Sequence, residues 1–294
     1  MPQDQRFADR LAGAIDDAGT PLCVGIDPTP ERLPEALTSL SSDPAELMAA
    51  FCIGVVDSVA GIAPAVKPQS ACFERLGSMG VGVLEHTIAR AKERGLIVVL
   101  DAKRGDIGST ARHYAAGAVA MGADAITLNP YMGRSAIEPF LEAGLGAFAL
   151  ARTSNPDSDE IQSARLENGA SVGEHVASVI ADLGVGRLGA RGLSDLGAVV
   201  GATKSTEGAR LRAIMPDQVF LVPGVGAQGG TVDDVRALLR PGATTPGELG
   251  VLVNASRSVI YAPPQPGETW TDAISRAARQ LGEQLRTLMQ SAGA

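Results

Sequence analysis

Short apolar runs with β character recur eight times along this chain, each ending at a polar or glycine-bearing turn and followed by a segment of helical periodicity. They lie at 22–26 before Asp27, 64–66 before Lys67-Pro68-Gln69, 97–100 before Asp101 and 125–128 before Asn129-Pro130. The remaining four lie at 147–150 before Arg152-Thr153-Ser154, 197–200, 219–222 before Pro223-Gly224 and 250–253 before Asn254. Helix-like segments separate them at 44–60, 81–94, 108–121, 135–143, 171–183, 205–214, 231–239 and 270–290. Many close on glycine, as at Gly61, Gly95, Gly122, Gly144 and Gly184, which suits a helix C-terminus. Eight consecutive strand–helix units predict a closed (β/α)8 TIM barrel rather than an open doubly wound sheet, with 4–18 as an extra N-terminal helix.

Composition agrees with that architecture. A chain of 294 residues can form one barrel domain spanning 1–294, and 45% hydrophobic with only 3% aromatic residues means a core of Ala, Val, Leu and Ile, the residues that fill parallel sheets. A net charge of −8 without a Lys/Arg cluster argues against nucleic acid and anionic membrane surfaces as partners, because both require a concentrated basic footprint. Any anionic ligand must be small and held locally. Cys23, Cys52 and Cys72 lack zinc-ligand spacing and are too few for a disulfide framework, so they read as reduced core thiols. The N-terminus has no basic-then-apolar signal pattern, and no apolar run reaches the roughly 18 residues of a membrane span, so a cytoplasmic location is expected.

Ligand chemistry in barrels gathers at the carboxyl ends of the strands. Those ends supply Asp27, Lys67, Asp101 and Lys103, with Asp106 just beyond the third. Within Asp101-Ala102-Lys103-Arg104-Gly105-Asp106, the two-residue period of a strand puts Asp101 and Lys103 on one face, about 7 Å apart along the backbone. Asp106 lies past the strand, and the loop sets its direction. Acids and ammoniums converging in one mouth offset each other's desolvation, and a lysine between two aspartates stays protonated, suited to act as an acid. A salt bridge that merely closes the third strand, a capping Asp27 and a snorkelling Lys67 are the bland alternatives; joint placement at three strand ends argues against them.

A second constellation is the glycine-rich 222–230, containing Pro223 and Gln228, together with Asn254-Ala255-Ser256-Arg257. Loops after the seventh and eighth strands of barrels often hold phosphate. Glycine lets backbone N–H groups approach an anion, Gln228 adds an amide and Arg257 a bidentate cation. The polar stretch 155–169 is expected as a long loop over the mouth after the fifth strand, and 241–247 as a connector on the opposite face. His86, His113 and His175 fall in helical segments, and Trp270 and Phe73 read as packing residues.

These motifs resemble orotidine 5′-phosphate decarboxylase. The resemblance rests on Gly25-Ile26-Asp27-Pro28, the second-strand lysine, Asp101-x-Lys103-x-x-Asp106-Ile107-x-x-Thr110, Arg152 to Pro156, Pro223 to Gly230, and Arg257-Ser258. Lys67-Pro68-Gln69 and Ala-Arg-Thr-Ser-Asn-Pro are similar to its longer bacterial type, type 2. The match runs in order from about residue 20 to 262. It implies a cofactor-independent carbon–carbon lyase, with no metal, that converts orotidine 5′-phosphate to uridine 5′-phosphate (UMP). It further implies that Lys103 protonates C6, Asp101 faces the substrate carboxylate, and Lys67 bridges to it and to the ribose. Asp27 would hold ribose hydroxyls with Gln69 beside it, Thr153 and Ser154 would read the pyrimidine, and Gln228 and Arg257 would grip the phosphate with the Pro223 loop. By the same resemblance Asp106 and Thr110 reach into the neighbouring site of a homodimer. The 104–105 filling of the motif and the long 153–169 segment depart from the family's shorter form.

The leading rival is a sister activity, a metal-dependent sugar-phosphate decarboxylase or aldolase with the same third-strand motif. Those barrels place a carboxylate at the second strand end to bind Mg²⁺, where this chain has Lys67, whose ammonium repels a divalent cation. A non-catalytic nucleotide-binding barrel is the other alternative, and retention of every charged position argues against it.

Overall fold

The computed structural model describes residues 5–39, 41–226 and 229–292. Eight parallel strands, β1 (Leu22–Ile26), β2 (Ala65–Pro68), β3 (Ile97–Arg104), β4 (Ala125–Leu128), β5 (Gly146–Arg152), β6 (Ser194–Val200), β7 (Gln218–Val222) and β8 (Val251–Ala255), follow one another around a closed barrel. Pairing of Leu22 with Val253 and of Cys23 with Asn254 joins β8 to β1 and completes the circuit. The barrel and the extra N-terminal helix are as expected from the strand periodicity. β6 begins at Ser194, earlier than its apolar run suggests.

Alternation along the strands splits the core into two layers. Inward-facing Cys23, Ala65, Ile97, Val99, Ala125, Phe148, Val219, Leu221 and Leu252 fill the barrel, while residues such as Val24, Val66, Val98 and Val253 pack outward on the helices. Helix Pro44–Val59 shows how the outer layer forms. Asp43 caps it by accepting from the Ala45 amide, and Met48, Phe51, Cys52, Val55, Val56 and Val59 make the buried stripe that a 3.6-residue repeat produces. Phe51 stacks between Tyr261 and Trp270, and Phe73 is fully buried, so both expected packing residues do pack.

Three connections differ from their periodicity. The 135–143 segment is split into a 3₁₀ turn, Arg134–Ala136, and a short helix, Glu138–Glu142, because Pro139 cannot continue the preceding turn's hydrogen bonding. The 231–239 segment forms a 3₁₀ helix, Asp233–Leu238, cut short before Pro241. The 155–169 stretch is not an open loop: it contains a 3₁₀ turn, Pro156–Ser158, a helical turn, Asp159–Gln162, and a bridge from Arg165 to Ser171.

The N-terminal helix Phe7–Ala18 closes the barrel floor, opposite the strand carboxyl ends. Its buried Phe7, Ala8, Leu11, Ala12 and Ile15 join the inward layer, and the Phe7 ring meets Phe148 edge-on at 6.0 Å. Gly146 is required there, since a Cβ on it would lie 2.1 Å from the Phe7 ring. The 241–247 connector belongs to this face too: Gly247 donates to Asp16 at 2.7 Å and lies close against the Ala12 backbone. Phe7→Ala should therefore cost about 3–5 kcal/mol in urea denaturation. Because Phe7 is remote from the mouth, the folded variant should keep its turnover at 25 °C.

Candidate active site

At the carboxyl mouth, β3 places a buried carboxylate between two ammoniums. Asp101 Oδ2 accepts from Lys67 Nζ at 2.6 Å and from Gln69 Nε2 at 3.1 Å. Its Oδ1 accepts from Lys103 Nζ at 2.6 Å and from Thr127 Oγ1 at 2.8 Å. Four donors thus saturate one carboxylate that is 6% exposed. Lys67 is buried as well, whereas Lys103 is the ammonium most open to the mouth. Burial by itself raises the Asp101 carboxyl, but the charges and hydrogen bonds of Lys67 and Lys103 outweigh it and hold it well below the ordinary 3.8. Burial would likewise lower Lys67, yet the Asp101 and Asp27 charges hold its ammonium above the ordinary lysine value. Asp101 and Lys67 are therefore both ionised at neutral pH.

β3 is irregular where Lys103 meets Asp101. The β3–β4 register shifts between Leu100 and Arg104, and Lys103 has φ +46°, the one non-glycine with positive φ among the described residues. The Lys103 amide donates to Thr127 Oγ1 at 2.9 Å, which fixes the bulge in place. Such a left-handed lysine persists only where its surroundings over-determine it. Thr127 therefore acts on both backbone and carboxylate. It is the residue that the sequence reading missed; its signal is a polar residue inside the apolar β4 run, on the inward face.

Within this chain Lys103 contacts one aspartate, and it is Asp101 that lies between two cations. Asp106 turns back to accept from the Ile107 amide at 2.8 Å, and neither Asp106 nor Thr110 lines the cavity. Once the strand has ended, the loop sets their direction.

The cavity above these groups measures about 740 Å³ and is also lined by Asp27, Gln69, Thr153, Ser154, Pro223, Gly224 and Arg257. Asp27 Oδ1 and Asn254 Oδ1 are buried acceptors without a protein donor among the described residues. They suit ligand hydroxyls. Tyr261 positions the Asp27 loop, its hydroxyl accepting from the Thr29 amide at 2.7 Å and donating to the Asp27 carbonyl at 3.2 Å. Gly25 on β1 leaves room for this corner, since a Cβ there would lie 1.9 Å from Ser256 Oγ.

In the glycine-rich loop on the β7–β8 side, Gly226 donates to the Gly230 carbonyl at 2.8 Å and Gly230 to that of Gly224 at 3.0 Å. Gly224, Gly226 and Gly229 all have positive φ, a conformation glycine adopts without strain. Arg257, the first residue of the short helix Arg257–Ile260, lines the cavity beside this loop. Gln228 lies outside the described residues. His86, His113 and His175 sit on helices outside the cavity lining, and burial pushes Cys23 up to about 12, so its thiol stays neutral.

A closed (β/α)8 barrel with an ammonium–carboxylate–ammonium array at its mouth, and an arginine beside a glycine-rich loop, has the form of a barrel enzyme. Residues 20–273 match the model of the Orotidine 5′-phosphate decarboxylase / HUMPS family, and the chain belongs to that family. A relative named orotidine 5′-phosphate decarboxylase from Rhodopirellula baltica is 40% identical, covering 95% of this chain and 99% of its own length. One of the same name from Variovorax paradoxus is 42% identical, covering 95% and 97%. The solved structure of Leishmania donovani OMP decarboxylase superimposes with a TM-score of 0.77 at 31% identity, covering 98% of this chain and 99% of that one.

Asp101→Asn should destabilise the protein by about 3 kcal/mol at pH 7, since it leaves two close ammoniums without their shared anion. The Asp101 carboxyl is depressed from 3.8 in the fold, so its contribution is present above pH 3.8 and lost as pH falls through the depressed value. Denaturation of wild type and variant across pH should give a constant gap from pH 5 to 8 that narrows below about 4.

Proposed function

We propose that this chain decarboxylates orotidine 5′-phosphate to UMP, the last step of de novo pyrimidine nucleotide synthesis, as one cytoplasmic barrel domain that needs neither metal nor organic cofactor. The observation that carries the proposal is the Lys67–Asp101–Lys103 array at the mouth of a barrel of this family. No described helix is long and apolar enough to cross a membrane.

In this reaction the C6–carboxylate bond breaks, carbon dioxide leaves, and the electron pair remains on C6 in the plane of the ring. No carbonyl or imine can delocalise it, so stabilisation falls to a fixed cation. Lys103 fills that role. Its Nζ is anchored by Asp101, it is the more open of the two ammoniums, and it passes its proton to C6 before recovering one from solvent. Asp101 faces the substrate carboxylate, a repulsion that loss of carbon dioxide relieves. Lys67, pinned by Asp101 and drawn by the Asp27 charge, bridges carboxylate and ribose.

Asp27 and Gln69 hold the ribose hydroxyls, Thr153 and Ser154 contact the pyrimidine edge, and Pro223, Gln228 and Arg257 enclose the phosphate. Phosphate binding far from C6 supplies free energy that holds the two carboxylates together. The metal-dependent alternative is disfavoured by chemistry at the same point: a divalent ion on Asp101 would have to displace an ammonium at 2.6 Å.

The protein acts as a homodimer in which Asp106 and Thr110 complete the partner's site. Support comes from their absence from their own cavity and from exposed Ile107, Tyr131 and Met132 on the segments that follow β3 and β4.

Loss of orotidine 5′-phosphate absorbance should proceed at the same rate with and without EDTA. Lys103→Ala should lower turnover by at least about 10³-fold while UMP still binds; substantial residual turnover would remove Lys103 from the proton-donor role. Mixing Lys103→Ala with Asp106→Asn subunits should restore activity, because one site of each heterodimer contains both native residues. Verified heterodimers without recovery would refute the shared site.

A further inference from the structure

Arg152 has the largest fully buried side chain among the described residues, 2% exposed, yet it does not line the cavity. A lone guanidinium at the end of β5 would be costly to bury, and the structure compensates it from two directions. Nε and Nη2 form a fork on Glu207 of helix Ser205–Ile214 at 2.8 and 2.9 Å. The remaining donors face the 155–163 segment: Nη1 bonds Ser158 Oγ at 2.9 Å and Gln162 Oε1 at 3.4 Å, and Nη2 bonds Asp159 and, at 3.2 Å, Ser163 Oγ. Lys204 adds a second cation on Asp159 at 2.7 Å, so two cations and two anions balance.

The segment wound around this guanidinium presents its other side to the cavity. Gln162 Oε1 accepts from the Thr153 amide at 2.8 Å and Gln162 Nε2 donates to Thr153 Oγ1 at 2.9 Å. Ser158 Oγ donates to the carbonyls of Asn155 and Thr153 at 2.7 and 3.2 Å. Gly201, whose amide donates to the Arg152 carbonyl at 2.8 Å, leaves room for Ser154, since a Cβ there would lie 2.8 Å from Ser154 Cα. Thr153 and Ser154 are thus held in a wall whose fold is set from behind.

We propose that Arg152, with Glu207 as its anchor on the neighbouring unit, is a positioning residue for nucleobase recognition. It orients the Thr153–Ser154–Gln162 edge and leaves the phosphate end untouched. The proposal rests on the reading that Thr153 and Ser154 contact the pyrimidine. Because the network spans β5 and the helix after β6, the ring-side wall is preorganised before the ligand arrives.

The test compares binding of UMP, cytidine monophosphate and ribose 5-phosphate by titration calorimetry. Arg152→Lys removes the fork while keeping the charge, and Glu207→Gln keeps shape at a partly exposed position that should fold even if the buried change does not. Each should weaken UMP binding by about tenfold and erode the preference for UMP over cytidine monophosphate. Ribose 5-phosphate should bind within about twofold of wild type, because no rearranged donor reaches the phosphate end. A parallel fall for all three ligands, or an unchanged nucleobase preference in both variants, would overturn the proposal. Thr153→Ala with Ser154→Ala separates the two layers of inference. If this variant loses the preference while Arg152→Lys and Glu207→Gln keep it, Arg152 has no positioning role and the ring-side reading stands. If Thr153 and Ser154 are themselves irrelevant to the preference, the ring-side reading falls and takes the Arg152 role with it.

Discussion

The mouth of this barrel is organised around one carboxylate that cannot be left alone. Asp101 lies in a nearly water-free position at the end of β3, where an ionised carboxylate is tolerable only if every lone pair is used. Four donors from three strands satisfy it: Lys67 and Gln69 from the end of β2, Lys103 from β3 itself and Thr127 from β4. Each donor is fixed by the same contact that it makes. The array is therefore preorganised, and its charges need no rearrangement when charge develops on a ligand, the condition under which electrostatic stabilisation is most effective.

The strain in β3 follows from this arrangement. A regular strand could direct Lys103 into the mouth, but it would not also deliver its amide to Thr127. The register shift and the left-handed φ of Lys103 achieve both, at a conformational cost of roughly 1–3 kcal/mol that the surrounding hydrogen bonds offset. Local backbone strain and buried charge are thus coupled, and both lie on residues assigned to the chemistry.

Stability and chemistry occupy opposite ends of the barrel. The floor is closed by the amphipathic N-terminal helix, with Phe7 against Phe148. Arg212 reinforces the structure by donating to the carbonyls of Met215, Gln218, Leu238 and Gly250 while lying 3.7 Å over the Phe220 ring. At the mouth, Arg152 does comparable work with carboxylates and hydroxyls in place of carbonyls. Two buried arginines thus organise connecting segments at opposite ends, and each has donors in a planar fork that lysine could not reproduce.

The barrel was legible in the sequence because its signal is local and repeated: apolar strand, polar end, helical stripe, eight times over. The charged strand-end residues were legible for the same reason, since topology alone sends Asp27, Lys67 and Asp101 to one mouth. Resemblance added what periodicity could not, the chemistry assigned to each group. Sequence by itself determined which residues could meet and which charges had to be compensated. Only tertiary structure decided that four donors converge on Asp101, that Thr127 is one of them, and that 155–163 is a wall wound on Arg152 rather than an open loop. The physical reason is that these outcomes depend on a bulge, on the register between neighbouring strands and on contacts made across tens of residues. None of these leaves a periodic trace along the chain.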